Sequence, residues 1–182
     1  MERAQLVHAL RHYKTSFDEE MVAIPRFKSL LNNFPTCYQR SLITGHITAS
    51  AWIIDEFGSS ALLVHHKKLV RWLQPGGHAD GDENILAVAT REAREETGLK
   101  TLKLIDENIF DIDIHLIPRH EDIQSHYHHD IRFLFTADKT ENYVVSDESN
   151  ELAWMPMEKM DICTRKNISI HRMVLKTKLI FK

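Results

Sequence analysis

Residues 75–99 constrain this chain more than any other segment. Pro75-Gly76-Gly77 ends a run of apolar residues, and the glycine pair permits a backbone path closed to other residues. An acidic loop follows, Asp80-Gly81-Asp82-Glu83, and then a helix is expected over residues 84–97, with Gly98 as its C-terminal cap. Each helical residue advances by about 100°, so Ile85, Leu86, Ala89 and Ala93 share one sector that should face a core. Glu92, Glu95 and Glu96 occupy the adjoining sector, with Glu96 almost along Ile85, so the carboxylates are expected to crowd the edge of the buried face. On a solvated helix face such repulsion costs only about 0.2–0.5 kcal/mol per pair. Beside a core, two carboxylates about 6 Å apart repel by roughly 3 kcal/mol at an effective dielectric near 20. Three such pairs approach the whole stability of a domain, about 5–15 kcal/mol. A hard divalent cation removes the conflict.

All-oxygen donors suit Mg²⁺ or Mn²⁺, which bind a few carboxylates, keep several waters and bridge to substrate phosphates. Arg91, one turn before Glu95, is placed to orient the acidic group, and the bend at Gly76-Gly77 could direct a main-chain carbonyl to the same ion. Metal-assisted hydrolysis of a phosphate ester or anhydride is the chemistry that follows: the ion polarises phosphoryl oxygens and helps generate hydroxide.

The segment resembles the Nudix box, GX5EX7REUXEEXGU. Gly77, Glu83, Arg91, Glu92, Ala93, Glu95, Glu96, Gly98 and Leu99 fill its specified positions. The resemblance implies an α/β/α sandwich with a mixed sheet, and a divalent-metal-dependent pyrophosphohydrolase that cleaves a nucleoside diphosphate linked to another moiety by water attack at phosphorus. It also implies that Glu92, Glu95, Glu96 and the Gly77 carbonyl hold Mg²⁺ or Mn²⁺, with Arg91 and Glu83 in support. The general base varies within the family between a box glutamate and one on a later loop. Here Asp147-Glu148-Ser149-Asn150-Glu151 offers Glu148 and Glu151, with ordinary loop carboxylates as the plain alternative.

The rest of the chain fits that architecture. Leu6, Leu10, Tyr13 and Phe17 recur at helical spacing; Ser16-Phe17-Asp18-Glu19 matches a capping box, and Pro25 should break or kink the segment it opens. Met21, Ile24, Phe27, Leu30, Leu31 and Phe34 continue an apolar stripe, so residues 1–40 read as an N-terminal helical extension and residues 41–182 as the hydrolase domain. Residues 47–54 and 61–65 look like a hairpin; further strands are expected at 69–73, 102–105, 110–117, 127–137 and 151–155, and a helix from Asn167.

Histidine is the compositional outlier, with 12 in 182 residues, several of them clustered. As alternating strands, residues 111–115 and 126–132 collect Asp111, Asp113 and His115 on one face, with His126, His128, Asp130 and Arg132 opposite them. Ile112, Ile114, Ile131 and Phe133 fill the other face. The polar face is either solvent-facing or the wall of a cleft that binds phosphate, substrate or an additional metal, with His78 and Asp80 approaching from the box loop. His46 could line the same cleft or be a satisfied strand histidine.

The net charge of -3 gives no overall basic field to recruit nucleic acid or an anionic membrane. No secretory signal or apolar run of about 18 residues is visible, and Cys37 and Cys163 form no paired motif, so a cytoplasmic protein acting on a small diphosphate substrate is expected. The N-terminal stripe is compatible with a lid or a homodimer contact. Two other readings stand beside the hydrolase. An isoprenoid diphosphate isomerase would need Cys37 or Cys163 in a cleft, and a non-catalytic nucleotide-binding module would need none of the glutamates.

Overall fold

The computed structural model describes residues 1–119, 123–147 and 149–181. Three helices and eight strands carry most of the chain: α1 (Arg3–His12), α2 (Asp18–Asn33), β1 (Gly45–Ile54), β2 (Ser60–His66), β3 (Arg71–Leu73), β4 (Gly76–His78), α3 (Ile85–Thr97), β5 (Lys103–Leu104), β6 (Asp111–Ile117), β7 (His126–Thr136) and β8 (Ser149–Pro156). The short α4 (Met160–Cys163) and the longer α5 (Ile168–Ile180) complete it. The strands join in one sheet of order β3-β2-β1-β7-β5, with β4 paired to β1, β6 to β7 and β8 to β2. This is an α/β fold. Among the described residues no helix is long and apolar enough to cross a membrane.

The chain comprises two compact units. The first contains Met1–Ser50, Gly77–Ala89 and Glu107–Phe133. Its core takes Leu6 and Leu10 from α1, Phe27, Leu30 and Leu31 from α2, Ile47, Ile85, Ile112, Ile131 and Phe133, all essentially buried. A charged residue ties the N-terminal helices in. Glu20, fully buried, accepts hydrogen bonds from Tyr13 Oη at 2.6 Å, from Thr15 Oγ1 and from the Ile112 backbone N–H of β6 at 3.1 Å. A buried carboxylate is tolerated where donors replace its water.

Several expectations fail in α2, for physical reasons. Its N-cap is Phe17, with no side-chain cap, so the Ser16–Glu19 capping box does not form. Pro25 lies inside an uninterrupted helix on an exposed position, where water can satisfy the carbonyl that the missing N–H leaves free. The apolar stripe is narrower than the periodicity suggests, since Met21 and Phe34 are exposed.

The second unit contains Ala51–Gly76, Thr90–Asp106 and Leu134–Lys182. The expected hairpin forms here, with Ile53 opposite Leu62 and Ile54 opposite Ala61. Its turn is built by Asp55, whose carboxylate accepts from Ser59 N at 2.6 Å and Ser60 N at 3.2 Å, while Gly58 supplies φ +64°. Strand β8 pairs along β2, and Trp52 buries its indole with Nε1 donating to Thr177 Oγ1 at 2.9 Å. Helix α5 starts as expected, at Asn167, whose side chain accepts from Ser169 N and Ile170 N.

Candidate functional site

The box helix α3 ends as its sequence dictates. Gly98 adopts φ +68° and its N–H reaches the Arg94 carbonyl at 2.8 Å. Ile85, Val88, Ala89 and Ala93 are fully buried, and Thr97 with them. At 100° per residue these positions centre on about the direction of Glu96, so Glu96 lies in the middle of the buried face, 7% exposed. Its carboxylate accepts the Gly76 backbone N–H at 3.0 Å. Glu92 is largely covered and Glu95 stands in solvent, its side chain 60% exposed. The expectation that all three crowd the edge of the core is corrected at Glu95, whose sector is the one turned farthest outward. Arg91 sits between Glu92 and Glu95, with Nη1 at 2.8 and 3.1 Å from their carboxylates, so a guanidinium screens part of the repulsion.

Three carboxylates within two turns of one helix, one of them buried and accepting a backbone N–H, form an all-oxygen donor set that fits a hard divalent cation. Arg91, Glu92, Glu95 and Glu96 lie in the second unit, whereas Gly77 and Glu83 lie in the first. Gly76 and Gly77 form strand β4 without a positive φ, so the expected sharp bend is replaced by extended chain. The positive φ values fall further on, at Asp80 and Gly81. Glu83 pairs with Arg3 at 3.5 Å. Glu148 lies outside the described residues. Glu151 is an exposed residue inside β8, opposite His65, and not on a loop, because the strand begins at Ser149.

The first unit assembles a second polar cluster. The β6 and β7 register places Asp111 opposite Arg132, Asp113 opposite Asp130, His115 opposite His128 and Ile117 opposite His126. Arg132 is 2% exposed and reaches Asp130 at 2.8 Å, Asp111 at 3.1 Å and Asp113 at 3.3 Å. Burial works against its charge, but the three carboxylates more than compensate and hold it protonated. Thr48 and Ser50 of β1 add hydroxyl donors to Asp130 at 3.0 and 2.8 Å. This face is therefore buried over Asp111, Asp130 and Arg132 and is no solvent-facing sheet surface there.

Further along the same face the histidines meet. One nitrogen from each of His46, His78 and His128 lies within 4.8 Å of the other two. Ring centroids are 5.1 Å apart for His46 and His78, 4.9 Å for His46 and His128, and 4.9 Å for His78 and His128. His126 stacks on His46 at 5.0 Å, places Nε2 at 3.3 Å from His128 Nε2, and has Nδ1 at 2.8 Å from the Gln124 carbonyl. His115 is 5.4 Å from His128 and fixed by Asp113 at 3.0 Å. Burial first, then neighbouring imidazoles, holds His46 at about 4 and His128 at about 2. Both are neutral at pH 7. His46 is 2% exposed and neither ring nitrogen makes a hydrogen bond of good geometry, although the Leu42 backbone lies close enough to favour the protonated ring.

The structure thus brings His78 together with His126 and His128, and Asp111, Asp113 and Asp130 together around Arg132. Asp80 is instead paired with Arg40 through both carboxylate oxygens on the surface. His46, Thr48 and Ser50 joined this face without being singled out together. The signal was present: they alternate with buried Ile47, Ala49 and Ala51 along β1. Cys37 is fully buried, and burial pushes its thiol upward, which does not suit an acid catalyst.

Residues 44–175 match the NUDIX domain. The chain is 26% identical over 164 residues to mRNA-decapping enzyme subunit 2 of Arabidopsis thaliana, covering 90% of this chain and 34% of that protein; it spans about a third of the length of that relative. A NUDIX-family hydrolase structure from Clostridium perfringens superposes with a TM-score of 0.54 at 25% identity, over 74% of this chain and 97% of the other. The C. elegans Ap4A hydrolase in a binary complex gives a TM-score of 0.57 at 16% identity, over 74% and 96%. The match over residues 44–175 shows that the chain belongs to the NUDIX family.

Proposed function

We propose that the substrate is a nucleoside diphosphate linked to another moiety, and that Glu92, Glu95 and Glu96 bind the Mg²⁺ or Mn²⁺ on which its hydrolysis depends. The observation that carries this reading is the carboxylate of Glu96, buried in the middle of the mainly apolar face of α3 and hydrogen-bonded to Gly76 N. A divalent ion there supplies charge for the phosphoryl oxygens and an acidified water as nucleophile. Arg91 holds Glu92 and Glu95 at a fixed spacing, so that little side-chain reorganisation accompanies binding. Glu148 and Glu151 stand as candidates for the base, with the box glutamates as the alternative.

The relative named as a decapping enzyme favours a second reading, in which the diphosphate lies at the 5′ end of an RNA. A panel of nucleotide sugars, ADP-ribose, dinucleoside polyphosphates, coenzyme A, nucleoside triphosphates and capped RNA, each with Mg²⁺ or Mn²⁺ and with EDTA, separates the two. Metal-dependent release of a nucleoside monophosphate from a small diphosphate supports the first reading. Turnover confined to capped RNA supports the second, and turnover undiminished in EDTA overturns the metal assignment.

A further inference from the structure

We propose that His46, His78 and His128 form a binding site for a nitrogen-preferring transition-metal ion of the Zn²⁺ class. Three strands distant in sequence, β1, β4 and β7, converge to present these imidazoles, and His46, His78 and His128 all lie in the first compact unit. Their nearest nitrogens lie within 4.8 Å of one another. Tetrahedral zinc with Zn–N bonds of about 2.0–2.1 Å separates its ligand nitrogens by about 3.4 Å, so small ring rotations close the site.

The second, independent observation is His46 itself. It is 2% exposed, yet neither ring nitrogen makes a hydrogen bond of good geometry, its one backbone partner being the nearby Leu42. Its ring instead faces three other imidazoles, His78, His126 and His128, each with its centroid within 5.1 Å. Each neutral imidazole carries one N–H and one lone pair, and a cation is what several lone pairs gathered at one point can share.

The donor chemistry separates this site from the glutamates of α3. Imidazole suits Zn²⁺, Ni²⁺, Cu²⁺ and Fe²⁺, whereas Mg²⁺ takes oxygen ligands and keeps its waters. Beyond the three ligands, His115 is oriented by Asp113, which in turn contacts Arg132, and His126 is oriented by the Gln124 carbonyl. Such supporting contacts fix ring orientation around metal-binding histidines. Three protein ligands leave one tetrahedral position open to water, to His126 or to an anionic oxygen.

The test uses the full chain, stripped with chelator, exchanged into buffer containing excess Mg²⁺ and titrated with Co²⁺ while visible d–d absorption is followed. We expect one equivalent to bind with the intense bands of tetrahedral nitrogen ligation, and Zn²⁺ to displace it. His128→Asn and His78→Asn should each weaken binding at least 100-fold, while Glu96→Gln should leave it unchanged. His78 is only half-buried, so its variant reads out binding even where replacement of a more buried ring disturbs folding, which circular dichroism monitors. Co²⁺ binding that survives both histidine variants, that is lost in Glu96→Gln, or that is absent from the folded wild-type chain overturns the proposal.

Discussion

Replacing Arg132 with Met keeps most of the side-chain volume and removes one cation from among three carboxylates. The guanidinium lies 2.8, 3.1 and 3.3 Å from Asp130, Asp111 and Asp113, with Arg132, Asp111 and Asp130 each at most 2% exposed. Removing one partner of a buried ion pair costs about 3–5 kcal/mol, because the other charge is left without compensation. Here three carboxylates lose the cation they share, so the upper end applies. With a urea m-value of about 2 kcal/mol/M, a loss of about 4–5 kcal/mol lowers the unfolding midpoint by roughly 2 M. Urea titration followed by circular dichroism measures this directly. The exposed Arg91→Met variant serves as a control and should change stability by no more than about 1 kcal/mol, as surface pairs do. A midpoint shift below about 0.5 M for Arg132→Met at unchanged m refutes the claim that this guanidinium neutralises the buried face.

Stability should also fall with pH in a defined window. His46 and His129 are held at about 4 and His128 at about 2, chiefly by burial, while the same residues in the unfolded chain titrate near 6.5. Above pH 6.5 both states are neutral there, and nothing is gained or lost. Below it the unfolded chain takes up protons that the folded chain does not, so stability declines by about 1.4 kcal/mol per pH unit for each histidine down to about pH 4. Urea midpoints between pH 7.5 and 4.5 check this, and a flat profile contradicts it. Glu20→Ala removes the buried carboxylate to which Tyr13, Thr15 and the Ile112 N–H donate and should cost about 3 kcal/mol, with accelerated amide exchange at Ile112.

What could be read in advance follows from how local the causes are. The 3.6-residue period and a terminal glycine specify α3 and its end at Gly98 without reference to other segments. Alternation specifies the shared face of β6 and β7, because period two leaves only two choices of side. Outcomes that depend on long-range partners were not legible. Pro25 keeps its helix because its side faces water, Gly76-Gly77 is extended because β1 offers a strand edge, and Glu20 is buried because β6 supplies a donor. Asp80 looked like part of the histidine wall, but Arg40, 40 residues away, takes its carboxylate. Glu151 stands where the acidic segment 147–151 meets the expected strand 151–155, and its pairing with β2 places it in the strand. Alternation along β1 puts His46 on the face of Thr48 and Ser50, whereas its burial against three other imidazoles arises only once the strands converge.

The central claim is that the carboxylates of α3 act through a bound divalent ion. Glu96→Gln keeps the oxygen that accepts from Gly76 N and removes only the charge, and Glu95→Gln alters an exposed position with little effect on packing. The decisive measurement is kcat for both variants on the best substrate of the diphosphate panel, across a Mg²⁺ titration, with unfolding midpoints recorded in parallel. Each substitution should lower kcat at least 100-fold, about 2.7 kcal/mol of transition-state stabilisation, with the fold intact. Near-normal turnover and an unchanged Mg²⁺ dependence in both variants would contradict the account.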